Sequence, residues 1–158
     1  MEKLSLIFKV ASRFTLVGWI LLAVFPSWEY SLPITMGIVI LLLCVLYTYL
    51  IFLGKHLDDT GQRVGGNFWS LKGVMNLFKS PRAVLAGWVH YLAFDLAVGA
   101  FIVADAARYD IHQLLLLPCL ILTLMFGPAG LLAYFILRSV MTVAYSHLPK
   151  PTNTEVQM

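Results

Sequence analysis

Three ionisable side chains lie within one apolar stretch of the sequence, AVLAGWVHYLAFDLAVGAFIVADAARYD: His90, Asp95 and Asp105. Carboxyl and imidazole groups can take up and release protons under physiological conditions. Within a membrane span such groups are rare, because an aspartate at the centre of a span costs at least about 2.5–3.5 kcal/mol. Their presence therefore indicates a functional site, and we treat all three as candidate site residues.

Helical geometry separates His90 from Asp95. If the span begins near Ala83, Asp95 lies roughly 18 Å along the helix, close to the middle of the membrane, and His90 lies about 10 Å along it. At 100° per residue the two side chains point about 140° apart. They therefore either line two sides of one wide cavity or serve two separate contacts. In both cases the helix must be central to the protein.

A structural role is the alternative for each candidate. His90 lies on a seam of small residues, which allows two membrane helices to approach closely, and there it could simply hydrogen-bond to a neighbouring helix. Asp95 could pair with Arg13, which lies roughly 8 Å closer to the surface. Asp105 and Asp110 flank Arg108 and are expected in a solvated turn. The seam consists of Ala86, His90, Ala93, Ala97, Ala100 and Ala104.

The composition excludes most soluble classes of protein. Of the 158 residues, 60% are hydrophobic and 12% are charged, against about 45–50% and about 25% in soluble domains. The basic residues form no stripe, so nucleic acid is not an expected partner. Cys44 and Cys119 are expected to be small buried hydrophobic residues. His56, Asp58 and Asp59 have metal-ligating types but no fourth ligand, so no metal site is predicted.

Four stretches are long enough to cross a bilayer, which takes roughly 20 helical residues. The sequence predicts an all-α integral membrane bundle of four transmembrane helices within residues 1–148. A polar tail, residues 149–158, is expected to be disordered. The predicted spans are residues 6–25, 32–53, 83–104 and 114–137.

The fourth span contains the string FGPAG. Pro128 cannot bond to the carbonyl of Leu124, so the helix should kink there and leave that carbonyl free. In a membrane, freed carbonyls are tolerated where they face protein or a wet cavity. The kink therefore serves either packing or the shape of a binding pocket.

The distribution of Lys and Arg predicts the orientation. Ten of them fall at the termini and in the 54–82 loop, and only Arg108 falls on the other side. By the positive-inside rule both termini and that loop face the cytoplasm. Within the loop, Phe68, Leu71, Met75 and Phe78 form one stripe, which predicts an amphipathic interfacial helix. Lys72 and Lys79 would face anionic headgroups.

The string WVHYLAFDL (residues 88–96), followed by VADAAR and LMFGPAGLLAYFI, resembles the plant abscisic-acid-deficient-four proteins and their bacterial relatives. FKVAS near the start, Pro26 and VLYTYL in the second span strengthen the resemblance, which covers residues 6–142. The plant members are implicated in making neoxanthin from violaxanthin, a step that isomerises an epoxide into an allene. The resemblance implies an isomerase of a carotenoid-like or isoprenoid lipid. Separately, we expect the chain to lie in a bacterial inner membrane.

Opening an epoxide to an allene needs an acid at the oxygen and a base for a vinylic proton. By resemblance His90, Asp95 and Asp105 are the polar groups of the motif. The chemistry of the reaction suits Asp95 as acid and His90 as base; exchanged roles, or Asp105 as one partner, stay open. No cofactor is required. The apolar walls of the substrate slot are expected from Trp88, Tyr91, Tyr47, Phe126 and Pro128.

Two other classes of function compete with an isomerase. A non-catalytic protein would bind pigment or lipid, or scaffold a partner membrane enzyme, and the chain could form a homo-oligomer. A proton-coupled carrier would use His90 and Asp95, but inverted repeats and broken half-helices, the signs of a carrier, are not evident in the sequence.

Overall fold

A computed structural model describes residues 1–58 and 66–146, and all its regular elements are helices. The predicted all-α fold is thereby confirmed. Several residues considered above lie outside the described residues: Asp59, Arg63, Lys150 and the predicted tail, residues 149–158. The helices are α1 (Glu2–Val24), α2 (Ser31–Leu57), α3 (Leu71–Leu77), α4 (Pro81–Arg108), α5 (Gln113–Phe126) and α6 (Pro128–Ser146).

Three helices of the described chain, α1, α2 and α4, are long and apolar enough to cross a membrane. In their most apolar segments 56% of the α4 residues are buried, against 28% in α1 and 17% in α2. The prediction that α4 is central is therefore confirmed. Helix α2 changes winding along its length, with π-helical turns at Thr35–Ile40 and Tyr49–Leu53 and a 3₁₀ turn at its end.

Glycines allow α1 and α4 to pack closely. The Leu96 side chain of α4 lies over Gly18 of α1, and the Trp19 ring of α1 lies over Gly99 of α4. A methyl group on Gly99 would come within 2.8 Å of the Trp19 ring. The two contacts are reciprocal, so each helix supplies one large side chain and one gap.

An ion pair ties the beginning of α4 to the end of α2. The Arg82 Nε donates to Asp58 at 2.8 Å, and the Ser80 hydroxyl donates to the same carboxylate at 2.6 Å. Burial acts to raise the pKa of Asp58, but the bonds from Ser80 and Arg82 outweigh it and lower that pKa. Arg82 also donates to the carbonyl of Leu50 at 2.5 Å. Asp58 is thus a structural anchor for this loop.

The predicted loop helix is present but short. Helix α3 has seven residues and begins where the Ser70 hydroxyl accepts a hydrogen bond from the amide of Gly73. Phe68 lies outside it, so the helix does not extend over residues 68–78 as predicted. Phe68, Trp69, Leu71 and Met75 are all strongly exposed.

The fourth apolar stretch is interrupted at Gly127, where φ is +37°. Pro128 begins a new helix after it, so the expected kink is a complete break. Helices α5 and α6 pack on each other, and Gly130 lies so close to Thr123 that there is no room for a side chain at that glycine. Close contact between residues on either side of the break indicates a sharp reversal of the chain.

The ends of α5 and α6 confirm that reversal. Gln113 donates to the carbonyl of Ala23 at the end of α1, and Arg138 bonds to Asp105 near the end of α4. On one straight helix, Gln113 and Arg138 would be roughly 37 Å apart. Both instead lie at one end of the bundle, so α5 and α6 form a hairpin whose tip reaches the middle of α4.

Two predictions change with the hairpin. Four spans are not confirmed, because α5 and α6 are each shorter than the three long helices. The prediction that both termini share one side is also unsupported, because α6 runs back towards the end of the bundle opposite the start of α1. A proline kink alone does not reverse a helix, but the left-handed Gly127 before it does.

The hairpin predicts the sidedness of single cysteines. In a Cys44→Ala, Cys119→Ala background, Asp110→Cys and Thr142→Cys should react with an impermeant maleimide from the same side of sealed vesicles. Lys72→Cys should react only from the other side. If the chain had a fourth span, Thr142→Cys would instead react from the same side of the vesicles as Lys72→Cys.

The packing of α1 on α4 predicts a cost for Gly99→Ala. The added methyl group meets the Trp19 ring, and overpacking of this kind typically costs about 1–3 kcal/mol. Gly37→Ala is the matched control, because a methyl group there has no neighbour within 4 Å. Unfolding in detergent, followed by circular dichroism, should show a lower stability for Gly99→Ala only; equal stabilities would contradict the packing.

Candidate functional site

Asp95 lies against the tip of the hairpin. Its side chain is buried, with 8% of the residue exposed, and Oδ2 has no hydrogen-bond partner among the described residues. The carboxyl group packs directly on Gly127, where any added side chain would collide with it. Gly127 is thus required both by its positive φ and by the close approach of Asp95. An intramembrane carboxyl with a free oxygen is a candidate for binding a polar group.

Tyr91 hydrogen-bonds to the backbone beside the break between α5 and α6. Its hydroxyl lies 3.0 Å from the carbonyls of Leu124 and Met125, to which it donates. Leu124 is the residue whose carbonyl Pro128 was predicted to leave free, so that carbonyl faces protein. Tyr91 also lies one turn before Asp95 on α4, and its hydroxyl approaches the carboxyl group without forming a hydrogen bond to Oδ2.

His90 lies on a different face of α4. It is exposed, stacks on Phe94 with ring centroids 4.4 Å apart, and lies 5.6 Å from the Tyr47 ring of α2. It makes no hydrogen bond with Asp95 within the part of the chain that the structure describes. Of the two arrangements predicted for His90 and Asp95, the structure has the one with separate contacts.

Asp105 does not lie in a solvated turn, which corrects that expectation. It is 7% exposed and accepts bonds from the Tyr134 hydroxyl at 2.7 Å and the Arg138 guanidinium at 2.8 Å. Arg138 also lies over the Tyr109 and Phe135 rings. These contacts join α4 to α6, and we call Asp105, Tyr134 and Arg138 the clasp. Both Asp110 and Arg108 are exposed.

The remaining predicted residues fall into separate places. Arg13 is exposed and forms no ion pair with Asp95 in the described chain, so the predicted pairing is not seen. Trp88 packs on Tyr91 with ring centroids 5.4 Å apart and donates to Ser12 at 2.9 Å. Phe126 and Pro128 flank Gly127 and are exposed.

Both cysteines are free, but only Cys119 is buried; Cys44 is exposed, contrary to expectation. His56 and Asp58, which have metal-ligating types, both have other partners. Asp58 forms an ion pair with Arg82, and His56 bonds to Tyr49 and to the carbonyl of Leu53.

Three contributors to the site were missed at the level of sequence. Gly127 was quoted only as part of the kink, and Tyr134 and Arg138 were not considered as partners of Asp105. A signal for Arg138 exists: it ends an apolar run and needs an acidic partner if it lies within the bundle. Asp105 is the buried acid nearest the end of α4.

The sequence matches the family model described as ABA DEFICIENT 4-like over residues 6–134. The chain belongs to the ABA DEFICIENT 4-like family. The match includes His90, Asp95, Asp105, the helix break and Tyr134, and it ends before Arg138. No curated protein and no solved structure matches the chain.

The clasp of this ABA DEFICIENT 4-like protein predicts a loss of stability in Tyr134→Phe. The buried ring is kept, while the hydrogen bond to a charged group is lost, which typically costs about 1.5–3 kcal/mol. Tyr109→Phe is the control, because Tyr109 contacts Arg138 through its exposed ring and a phenylalanine preserves that contact. Thermal unfolding in detergent should separate the two variants; similar melting temperatures would argue against the clasp.

Proposed function

We propose that this protein is a membrane-embedded isomerase that acts on a carotenoid-like or isoprenoid substrate carrying an epoxide. Membership of the ABA DEFICIENT 4-like family supports the substrate class. The observation that carries the proposal is the unpartnered Oδ2 of Asp95, buried beside the tip of the hairpin. A buried polar atom without a partner is costly, and a polar substrate atom would supply the missing bond.

A single carboxyl group, that of Asp95, can carry out both proton transfers of the reaction. Protonated Asp95 gives its proton to the epoxide oxygen as the carbon–oxygen bond breaks and positive charge develops on the carbon. The resulting carboxylate then removes the vinylic proton from the neighbouring carbon, which forms the second double bond of the allene. The carboxylic acid is regenerated, so the reaction is an isomerisation and consumes no cofactor. His90 is not used as the base, because it lies on another face of α4.

The residues around Asp95 support this reaction by excluding water and fixing the tip. Tyr91 donates to the carbonyls of Leu124 and Met125 and so holds the tip of the hairpin in place. Trp88, packed on Tyr91, offers an apolar surface to a polyene. We further propose that the α3 end of the bundle faces the cytoplasm of a bacterial inner membrane, because of its cations.

A non-catalytic pigment- or lipid-binding protein is the second candidate. It is favoured by a groove of about 450 Å³ between α1 and α2, whose lining is entirely apolar. Phe14, Leu43 and Leu46 are among its walls. A hydrophobic chain could lie in that groove without contacting Asp95, so binding and chemistry would be separable.

Asp95→Asn tests the two functions against each other. The amide keeps the size of the side chain but carries no transferable carboxyl proton, so product formation should fall at least about 10²-fold. Pigments and lipids extracted from cells supplied with an epoxy-carotenoid, with and without the gene, would be compared by mass spectrometry. Immunoblots would check that the protein level is unchanged.

His90→Gln is the matched control, because it removes a nearby ionisable group of the same helix that lies on a different face from Asp95. It should retain most of the activity. Full activity in Asp95→Asn would exclude the proposed acid. Retained binding of a pigment by a wild-type protein that forms no product would favour the non-catalytic alternative.

A further inference from the structure

A second groove lies at the end of the bundle that carries α3, far along α4 from the clasp. It has a volume of about 370 Å³ and lies between the first turns of α1 and the beginning of α4. Leu4 and Phe8 line one side, and Leu85 and Trp88 line the other. Trp88 is held in place by its bond to Ser12 at 2.9 Å. Asp95 is not part of its lining, so the groove is distinct from the proposed acid, although the Trp88 ring borders both.

The rim of this groove carries positive charge. Lys79 lines it, immediately before α4 begins at Pro81. Lys79 is exposed and forms no ion pair with any described residue. The first turn of a long helix adds partial positive charge at the same place. Lys72 and Lys3 are also exposed at this end, whereas Asp58 is neutralised by Arg82.

Exposed aromatic side chains mark the same end as a membrane interface. Phe68 is 84% exposed and Trp69 is 96% exposed, which is unusual for side chains of this size in water. Phe78, at the end of α3, packs against Gly87 of α4 and so links the α3 segment to the helix that lines the groove. Aromatic residues of this kind are enriched at the level of lipid headgroups.

We propose that this groove binds one anionic phospholipid, with an acyl chain along the apolar surface that Leu4, Phe8 and Trp88 line and the phosphate at Lys79. The mostly apolar walls favour a lipid over free phosphate, because they can pack against an acyl chain. The positive rim selects an anionic headgroup over a zwitterionic one. The lipid would fill the gap between α1 and α4 and hold α3 at the surface.

Native mass spectrometry of the full-length protein in neutral detergent tests the site. Phosphatidylglycerol and phosphatidylcholine of identical acyl chains are added in equal amounts. The wild-type protein should retain one phosphatidylglycerol in preference. Lys79→Gln should weaken that binding roughly fivefold, the equivalent of about 1 kcal/mol per lysine. Lys55→Gln, which removes a charge at the same end but outside the groove, should change it less than about twofold.

A second variant tests the apolar part. Val84→Trp fills the groove without altering its charge and should reduce retention of both lipids, with circular dichroism as the check on folding. Equal retention of the two lipids by the wild type would overturn the proposal. An equal loss of phosphatidylglycerol binding in Lys79→Gln and Lys55→Gln would overturn it too, since the attraction of the lipid would then not be specific to the groove. A lipid-free dimer would show that a second copy covers the groove instead.

Discussion

A carboxyl group in an apolar medium must find partners or carry a substantial cost, and this constraint determines how the chain folds around α4. Helix α4 carries two buried carboxyl groups, Asp95 and Asp105, ten residues apart. The Oδ2 of Asp105 accepts hydrogen bonds from both Tyr134 and Arg138 of α6. Asp95 keeps one oxygen that has no partner in the described part of the chain. Asp105 thus stabilises the packing of α6 on α4, whereas Asp95 can still form a hydrogen bond with another group.

The clasp also determines where the tip of the hairpin falls. From Asp95 to Asp105 the chain advances ten residues along α4, and from Pro128 to Arg138 it advances ten along α6. Each distance is about 15 Å. Because α6 runs alongside α4 in the same direction, pairing Arg138 with Asp105 brings the beginning of α6 to the level of Asp95. The ion pair therefore acts on the candidate site through the register of two helices, without contacting it.

Much of the architecture was predictable because apolar length and charge report directly on helices in a membrane. The ends of α1, α2 and α4 follow from the apolar runs, and the 140° separation of His90 and Asp95 follows from helical geometry alone. The hairpin was not predictable in this way. Pro128 indicates a disturbed helix, but whether the chain bends or reverses depends on the conformation of Gly127, which no hydropathy pattern encodes. Arg13 was chosen as partner of Asp95 by depth, whereas the packing of α1 leaves it exposed.

The break between α5 and α6 supports the proposal that the middle of α4 is a functional site. A break at mid-membrane frees backbone carbonyls, and this protein uses the hydroxyl of Tyr91 to satisfy two of them. If packing were the only requirement, an unbroken helix with an apolar residue in place of Asp95 would cost less free energy. Two costly features, a broken helix and a carboxyl oxygen without a partner, occur at one point. Because each would be avoided separately, their coincidence is best explained by a ligand that contacts both Asp95 and the tip of the hairpin.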